Sequence, residues 1–415
     1  MRLFVFFLFV LLVFSFSEDR FPKPEFDNGH IIPTPQTPMP RSGLWEFGDV
    51  AVLFLCLNLA TYLALKKRDR KGLFLLGIFC LFYFGFYKKG CVCSIGAIQN
   101  IVHALFHANT FVPMTTLLVF FLPLLYSLLF GRTFCSSVCP LGIMQDIVIF
   151  KPLELKRWLA IPLHFLAYLY LGLAVLLAAT GSSFIICQYD PFVAFFRFSG
   201  NIEMLMVGLI FLGIGMFLAR PYCRFFCPYG VLLGWLSRLC FWHVTITPKE
   251  CVSCRLCEKS CPFGAILPPT EGWKEERSKG VRRLFLLFLL FPAVVVLSSW
   301  FFGKLYIPLS QVNRTVSLAE RIQAEDAGKI ENMTLESKAF RASGQTNEAL
   351  YQEALAIRRE FWLGCHILGA FLGSYLMLQA ILFSLSRIRK YYSIHKGNCL
   401  SCGRCFSFCP KSDKP

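Results

Sequence analysis

Charge is scarce in this sequence. Asp, Glu, Lys and Arg make up only 16% of the 415 residues, and the acidic sign is the rarer, 25 against 42 basic. A chain of this length with so few charges cannot coat two or three soluble domains. Several expected signatures are missing as well. There is no phosphate-binding Gly-rich loop, no dinucleotide fingerprint, no catalytic triad and no specific flavin attachment site. No acid/base pair for substrate chemistry stands out, and no output module of a sensor is visible. The formal charge of +17 does not signal nucleic acid, because no basic helix with interleaved stacking aromatics lies outside the apolar runs. These absences argue against a soluble enzyme and against a nucleic-acid binder.

What is abundant is apolar and sulfur-bearing. The chain holds 45 Phe and 19 Cys, and 56% of it is hydrophobic; its mean hydropathy is +0.57. This composition predicts an all-α polytopic membrane protein. Residues 1–18 (MRLFVFFLFVLLVFSFSE) read as a signal peptide or a first span, and 19–44 as an extended outer segment rich in Pro. Seven later runs, near 46–65, 72–88, 110–131, 157–179, 201–219, 284–302 and 361–386, are long enough to cross about 30 Å of hydrocarbon. Lys66, Lys67, Arg68, Arg132, Lys151–Arg157, Arg220, Arg224, Lys274–Arg283 and Arg387–Lys396 then fall on one side, which the positive-inside rule makes the inner one. Lys88 and Lys89 are the exception and point to a re-entrant segment. The expected location is a bacterial inner membrane.

Two stretches, CVSCRLCEKSCP (251–262) and CLSCGRCFSFCP (399–410), share the spacing C-x2-C-x2-C-x3-C-P. In bacterial ferredoxins three cysteines of such a run hold one cluster and the fourth ligates the other. The spacing therefore predicts one [4Fe–4S] cluster on Cys251, Cys254, Cys257 and Cys409, and a second on Cys399, Cys402, Cys405 and Cys261. Thiolates suit these clusters because they are soft ligands. The halves, 246–270 and 389–415, are separated by a span at 284–302, an outer helical insert at 303–360 and a span at 361–388. Two crossings return the chain to the same side, so the module is split in sequence and single in space.

The membrane core, 45–245, carries an internal repeat: RTFCSSVCPLG from Arg132 and RPYCRFFCPYG from Arg220, each R-x2-C-x3-C-P-x-G after a span. Four thiols, Cys135, Cys139, Cys223 and Cys227, could share a third cluster, with buried structural thiols as the alternative. For Arg132 and Arg220, setting topology is favoured over balancing cluster charge. GCVCSIGAIQN (90–100) resembles CPLGIMQD (139–146) through C-x-x-G-x-x-Q-[ND], on the opposite face. Cys91, Cys93 and Cys187 form either an outer redox site or a disulfide. His103 and His107 share a helix face beside them, where interfacial polar residues are favoured over metal ligands.

RTFCSSVCPLGIMQD, RPYCRFFCPYG and CVSCRLCEKSCPFGAI, in this order among spans, resemble the NosR/NapH-type membrane iron–sulfur proteins over residues 45 to 265 plus the final motif. The resemblance implies cytoplasmic [4Fe–4S] clusters in a polytopic membrane protein. It also implies electron transfer across the membrane, or to and from quinol, serving an extracytoplasmic reductase or its maturation. NosR-type members carry a long outer flavin domain with no counterpart in this sequence, and NapH-type members carry contiguous ferredoxin runs. A separate outer flavoprotein partner is what the resemblance suggests in place of that domain. The expected function is electron transfer between inner-side clusters and a quinone or an extracytoplasmic redox partner, as a subunit rather than an independent enzyme. The alternative is an assembly or metal-handling protein that reduces a metal or cofactor for a client oxidoreductase.

Overall fold

A computed structural model describes residues 43–409, apart from positions 91–92, 109, 151, 154, 156, 199–201, 247–250, 271–276, 331, 386–388 and 390. The signal-like segment 1–18, most of the segment 19–44, Cys91 and the C-terminal tail from 410 lie outside the described residues. Among the described residues, five helices are long and apolar enough to cross a membrane: α1 (Gly43–Lys67), α2 (Arg70–Tyr87), α6 (Leu159–Ala179), α10 (Gly280–Gly303) and α13 (Asn347–Ser384). The chain is a membrane protein. Two further expected spans are represented by shorter apolar helices, α4 (Met114–Phe130) and α7 (Ile202–Phe217). At 1.5 Å per residue each runs about 25 Å, less than a full hydrocarbon core. Between them stand α3 (Ala97–Phe106) and α5 (Pro140–Val148); α8 (Pro228–Arg238) follows the second CxxxCP loop.

Local chemistry accounts for the breaks. α1 ends where Arg68 turns left-handed (φ 53), and the Asp69 side chain caps α2 by accepting from the Lys71 N–H. Such a cap contributes about 1 kcal/mol. α4 ends on Gly131 (φ 77), a conformation free of Cβ strain only for glycine. Pro123 within α4 has no N–H to give to the Val119 carbonyl. Ser94 Oγ bonds that carbonyl instead, at 2.9 Å, which fastens the segment before α3 to a kink-prone point of α4. Lys88 is not a free loop charge: it is buried and paired with Asp49 on α1, which accounts for its breach of the positive-inside pattern.

α10 and α13 pack closely through small residues. A Cβ at Gly369 would come within 2.4 Å of the Ser298 carbonyl oxygen, and one at Gly373 would overlap Ser298 Oγ. Ser298 Oγ donates to the Gly369 carbonyl at 2.7 Å and Ser299 Oγ to the His366 carbonyl at 2.9 Å. In lipid, where apolar surface gives no net drive, such close approach and hydrogen bonding hold helices together. The stretch between these helices is helical: α11 (Arg314–Asp326) and α12 (Leu335–Ala342) carry Asn313 and Thr334 as caps. They enclose a small core of Val316, Ala319, Ile322, Phe340, Leu350 and Ala354. α13 runs unbroken from this stretch into the last span, so no hinge separates the two.

Candidate iron–sulfur centres

The two ferredoxin-type loops meet although 136 residues, 263 to 398, lie between them. β1 (Ile266–Leu267) pairs antiparallel with β2 (Ser393–Ile394), and α9 (Leu256–Ser260) packs on α14 (Arg404–Phe408). Each loop carries the same two left-handed residues around its second cysteine, Ser253 and Arg255 in one, Ser401 and Gly403 in the other. Three of these four are not glycine, and each such conformation costs of order 1 kcal/mol or more. What it obtains is a tight wrap that turns successive thiols and backbone N–H groups toward one side, the geometry of an anion-binding nest.

The thiols fall into groups. Cys257 lies among Cys251, Cys254 and Cys409; burial first, then these three neighbours, push its thiol up from its ordinary value. Cys261, Cys399, Cys402 and Cys405 line one cavity together with Phe263, Leu400 and Gly403. Burial raises Cys399 to about 12, with the Ser401 N–H, 3.4 Å from its Sγ, opposing the shift. Cys261 comes from the first motif and the other three from the second, which is the exchange that the spacing predicts. A cavity walled by four thiols from two loops suits a cuboidal cluster, each sulfur binding a different corner. Among the described residues no three His, Cys, Asp or Glu side chains close tightly enough around one point to hold a single metal ion.

The third group stands in the membrane core. Burial, then Cys223 and Cys135, raise Cys139 well above its usual range. Burial, then Cys223, Cys139 and Cys135, do the same for Cys227. All twelve thiols named so far are free. The Gly230 N–H donates to Cys227 Sγ at 3.3 Å. Gln145 Nε2 donates to Cys223 Sγ at 3.2 Å, and Gln145 Oε1 accepts from the Tyr222 N–H at 3.1 Å. Hydrogen bonds to cluster sulfurs are among the main determinants of reduction potential.

Arg132 and Arg220 do more than set topology; both are buried. Arg132 donates to Gly397 O at 3.1 Å and points at Cys135 Sγ at 3.9 Å. Arg220, 1% exposed, bonds the Cys135 and Ser136 carbonyls and pairs with Asp146 at 3.0 Å. Asp146 also receives Arg70 at 3.1 Å and Arg404 at 3.5 Å. Burial alone would raise the Asp146 pKa; Arg220, Arg404 and Arg70 outweigh it and hold the carboxyl well below the usual range. One carboxylate thus ties α2, the core loops and the second ferredoxin half together. Arg70 Nη1 reaches the Cys402 carbonyl at 3.0 Å, and Ser237 Oγ reaches that of Lys396 at 2.8 Å. Ile149, Ala219, Phe263, Leu400 and Cys402 form an apolar patch on which Cys135 and Cys261 both pack. The second ferredoxin group therefore adjoins the core group.

Sequence reasoning passed over Gln145, Arg70, Asp146 and Arg404 as site residues. The only signal was the Q-[ND] ending of CPLGIMQD, read there as a mark of repetition. The histidines serve structure: His103 and His107 stack at 4.3 Å, and their Nδ1 atoms bond the Ala178 and His103 carbonyls.

Models of the 4Fe-4S binding domain match residues 112–157 and 201–247, which hold the two CxxxCP loops, and 244–267, the first ferredoxin half. Three relatives are similar over part of the chain. MJ0750 of Methanocaldococcus jannaschii is 28% identical over 190 residues, 44% of this chain and 77% of its own length. The putative electron transport protein YccM of Escherichia coli is 31% identical over 153 residues, 33% of this chain and 43% of YccM. The regulatory protein NosR of Pseudomonas aeruginosa is 28% identical over 240 residues, 53% of this chain and 32% of NosR. These matches support the resemblance to the NosR/NapH-type proteins. The chain carries 4Fe-4S binding domains, and of these relatives YccM is named as a putative electron transport protein. The chain spans less than half the length of YccM and of NosR, so their whole activities do not transfer. No solved structure matches the chain.

Proposed function

We propose that this protein carries electrons between the ferredoxin side of the membrane and a quinone or redox protein at the opposite side. The observation that carries the reading is the single cavity lined by Cys261, Cys399, Cys402 and Cys405, adjoining the core thiols through the Cys135 packing patch. Cys251, Cys254, Cys257 and Cys409 hold one cluster, the cavity four a second, and Cys135, Cys139, Cys223 and Cys227 a third. When bound, each such cluster takes up or releases one electron. The chain's own residues do the rest. The Asp146 hub fixes the ferredoxin module on the core, Arg220 and Arg132 supply positive charge against the thiolates, and the buried setting keeps water away. In this reading α4 and α7 complete a seven-span bundle, and the membrane is a bacterial inner membrane with both ferredoxin loops cytoplasmic. The closeness of the groups favours conduction over a purely metal-handling role.

Proteoliposomes with ferricyanide trapped inside and dithionite outside test the reading. Protein-dependent reduction of the trapped acceptor is expected, falling to the protein-free rate in Cys135→Ala. Fully cluster-loaded protein that does not exceed protein-free vesicles would sink it.

A further inference from the structure

Cys93 and Cys187 stand at the other end of the helices from the twelve thiols above, after α2 and α6, and neither sulfur is in a disulfide. Their surroundings repeat the core site in detail. Cys93 opens a C-x-x-G turn in which the Gly96 N–H donates to its Sγ at 3.4 Å, as the Gly230 N–H does to Cys227 at 3.3 Å. Gln99 follows Cys93 by the same interval as Gln145 follows Cys139. Gln99 Oε1 accepts from the Ile186 N–H, 2.9 Å away and one residue before Cys187. Gln145 Oε1 accepts from the Tyr222 N–H, one residue before Cys223. In the core site the clamp is completed by Gln145 Nε2 on Cys223 Sγ. At the other end Gln99 is wholly buried and its Nε2 has no partner among the described residues. An amide donor left so costs about 1–3 kcal/mol, a cost removed when a bound group offers it an acceptor.

We propose that Cys93 and Cys187 are ligands of a thiolate-bound iron centre at the end of the bundle away from the ferredoxin module, with Gln99 positioning them. The inference rests on the electron-transfer reading and names the terminus that reading requires. Gly96 makes the approach feasible: a Cβ there would lie 3.2 Å from Cys187 Sγ and 3.9 Å from Cys93 Sγ, so the two sulfurs converge on a point that any side chain would occupy. Asp190 is buried near both thiols. Burial, opposed by the Phe192 N–H on Oδ1, lifts its carboxyl to about 6. Tyr222 stands between the two sites. It is buried with its hydroxyl unpartnered, and it is coupled electrostatically to Asp190 and Cys93 on one side and to Cys227 on the other.

The test uses the full chain purified anaerobically in detergent, as wild type, Cys93→Ser, Cys187→Ser and Gln99→Leu. Metals are counted by mass spectrometry, and thiols by alkylation after denaturation. Iron is expected to fall by at least one per chain in each cysteine variant and to be retained less well in Gln99→Leu. The electron paramagnetic resonance signals of the reduced ferredoxin clusters should stay unchanged. Those signals monitor folding and report the electron-transfer reading independently, so loss of one does not mimic loss of the other. Unchanged iron in the cysteine variants would overturn the proposal. So would a Cys93–Cys187 disulfide in the anaerobic protein, or copper or zinc in place of the missing iron.

Discussion

Replacing Cys261 by serine is expected to abolish the cluster of the C-terminal motif while leaving that of its own motif in place. The reason is spatial. Cys261 follows Cys257 closely in sequence, yet it faces the cavity lined by Cys399, Cys402 and Cys405, while Cys257 lies among Cys251, Cys254 and Cys409. Cys409→Ser should give the reciprocal result. About four irons should be lost in each case, since each cluster holds four. The reduced-state resonance signal that survives Cys261→Ser should be the one that disappears in Cys251→Ser. Loss of the cluster served by Cys251, Cys254 and Cys257 on mutating Cys261 would mean that each run closes on its own cysteines and that the exchange is wrong.

The second large effect is expected at Arg220. It is buried with Asp146, and removing one member of a buried pair costs up to about 3–5 kcal/mol, a cost that Arg70 and Arg404 reduce here because both still face the carboxylate. Arg220→Ala also frees the Cys135 and Ser136 carbonyls, so it should lower the unfolding temperature in detergent and deplete iron. Arg220→Lys should rescue it poorly, since one ammonium cannot reproduce the planar fork that binds Asp146 and two carbonyls at once. Arg220→Met combined with Asp146→Leu should not be milder than Arg220→Ala, because Arg70 and Arg404 keep Asp146 in the single variant and lose it in the double one. A double variant as damaging as the sum of its parts would show that the two side chains act separately. The pH dependence has a definite sign. The Asp146 carboxyl is lowered in the folded state, so its stabilisation is present above the unfolded carboxylate pKa of about 4 and is lost only as pH falls through the lower folded value.

The cysteine loops were legible in the sequence because iron–sulfur loops are local. Their spacing is dictated by the reach of three successive residues around one body, and the same spacing twice implies exchange. The pairing of Ile266 with Ile394 that joins the halves was legible only indirectly, by counting crossings. Full-length spans were readable as apolar runs. α4 and α7 were not distinguishable from them, because the Lys/Arg and Gly residues at their ends look alike whether the helix is full length or a turn short. The Asp146 hub was hidden for a different reason. Arg70, Asp146, Arg220 and Arg404 are scattered over 335 positions, and each looks by itself like an ordinary loop charge. Gln99 and Gln145 were visible as a repeat, but their shared clamp appears only when the residue each one holds, Ile186 or Tyr222, is placed in space.

A hydrocarbon core of about 30 Å is too thick for one efficient electron hop. The arrangement shortens that distance from both sides. The second ferredoxin half is held directly on the membrane core by Arg70, Arg132 and Ser237, and in the proposed path Cys93 and Cys187 stand at the opposite end. Conduction then depends on the core thiols carrying a cluster rather than serving as buried packing.

That dependence is tested most directly by counting iron and acid-labile sulfide in anaerobically purified protein, wild type beside Cys135→Ala. At least about twelve of each per wild-type chain are expected, with about four fewer of each in the variant. Zinc in place of iron, or the same count in both proteins, would contradict a cluster on the core thiols and with it the path across the membrane.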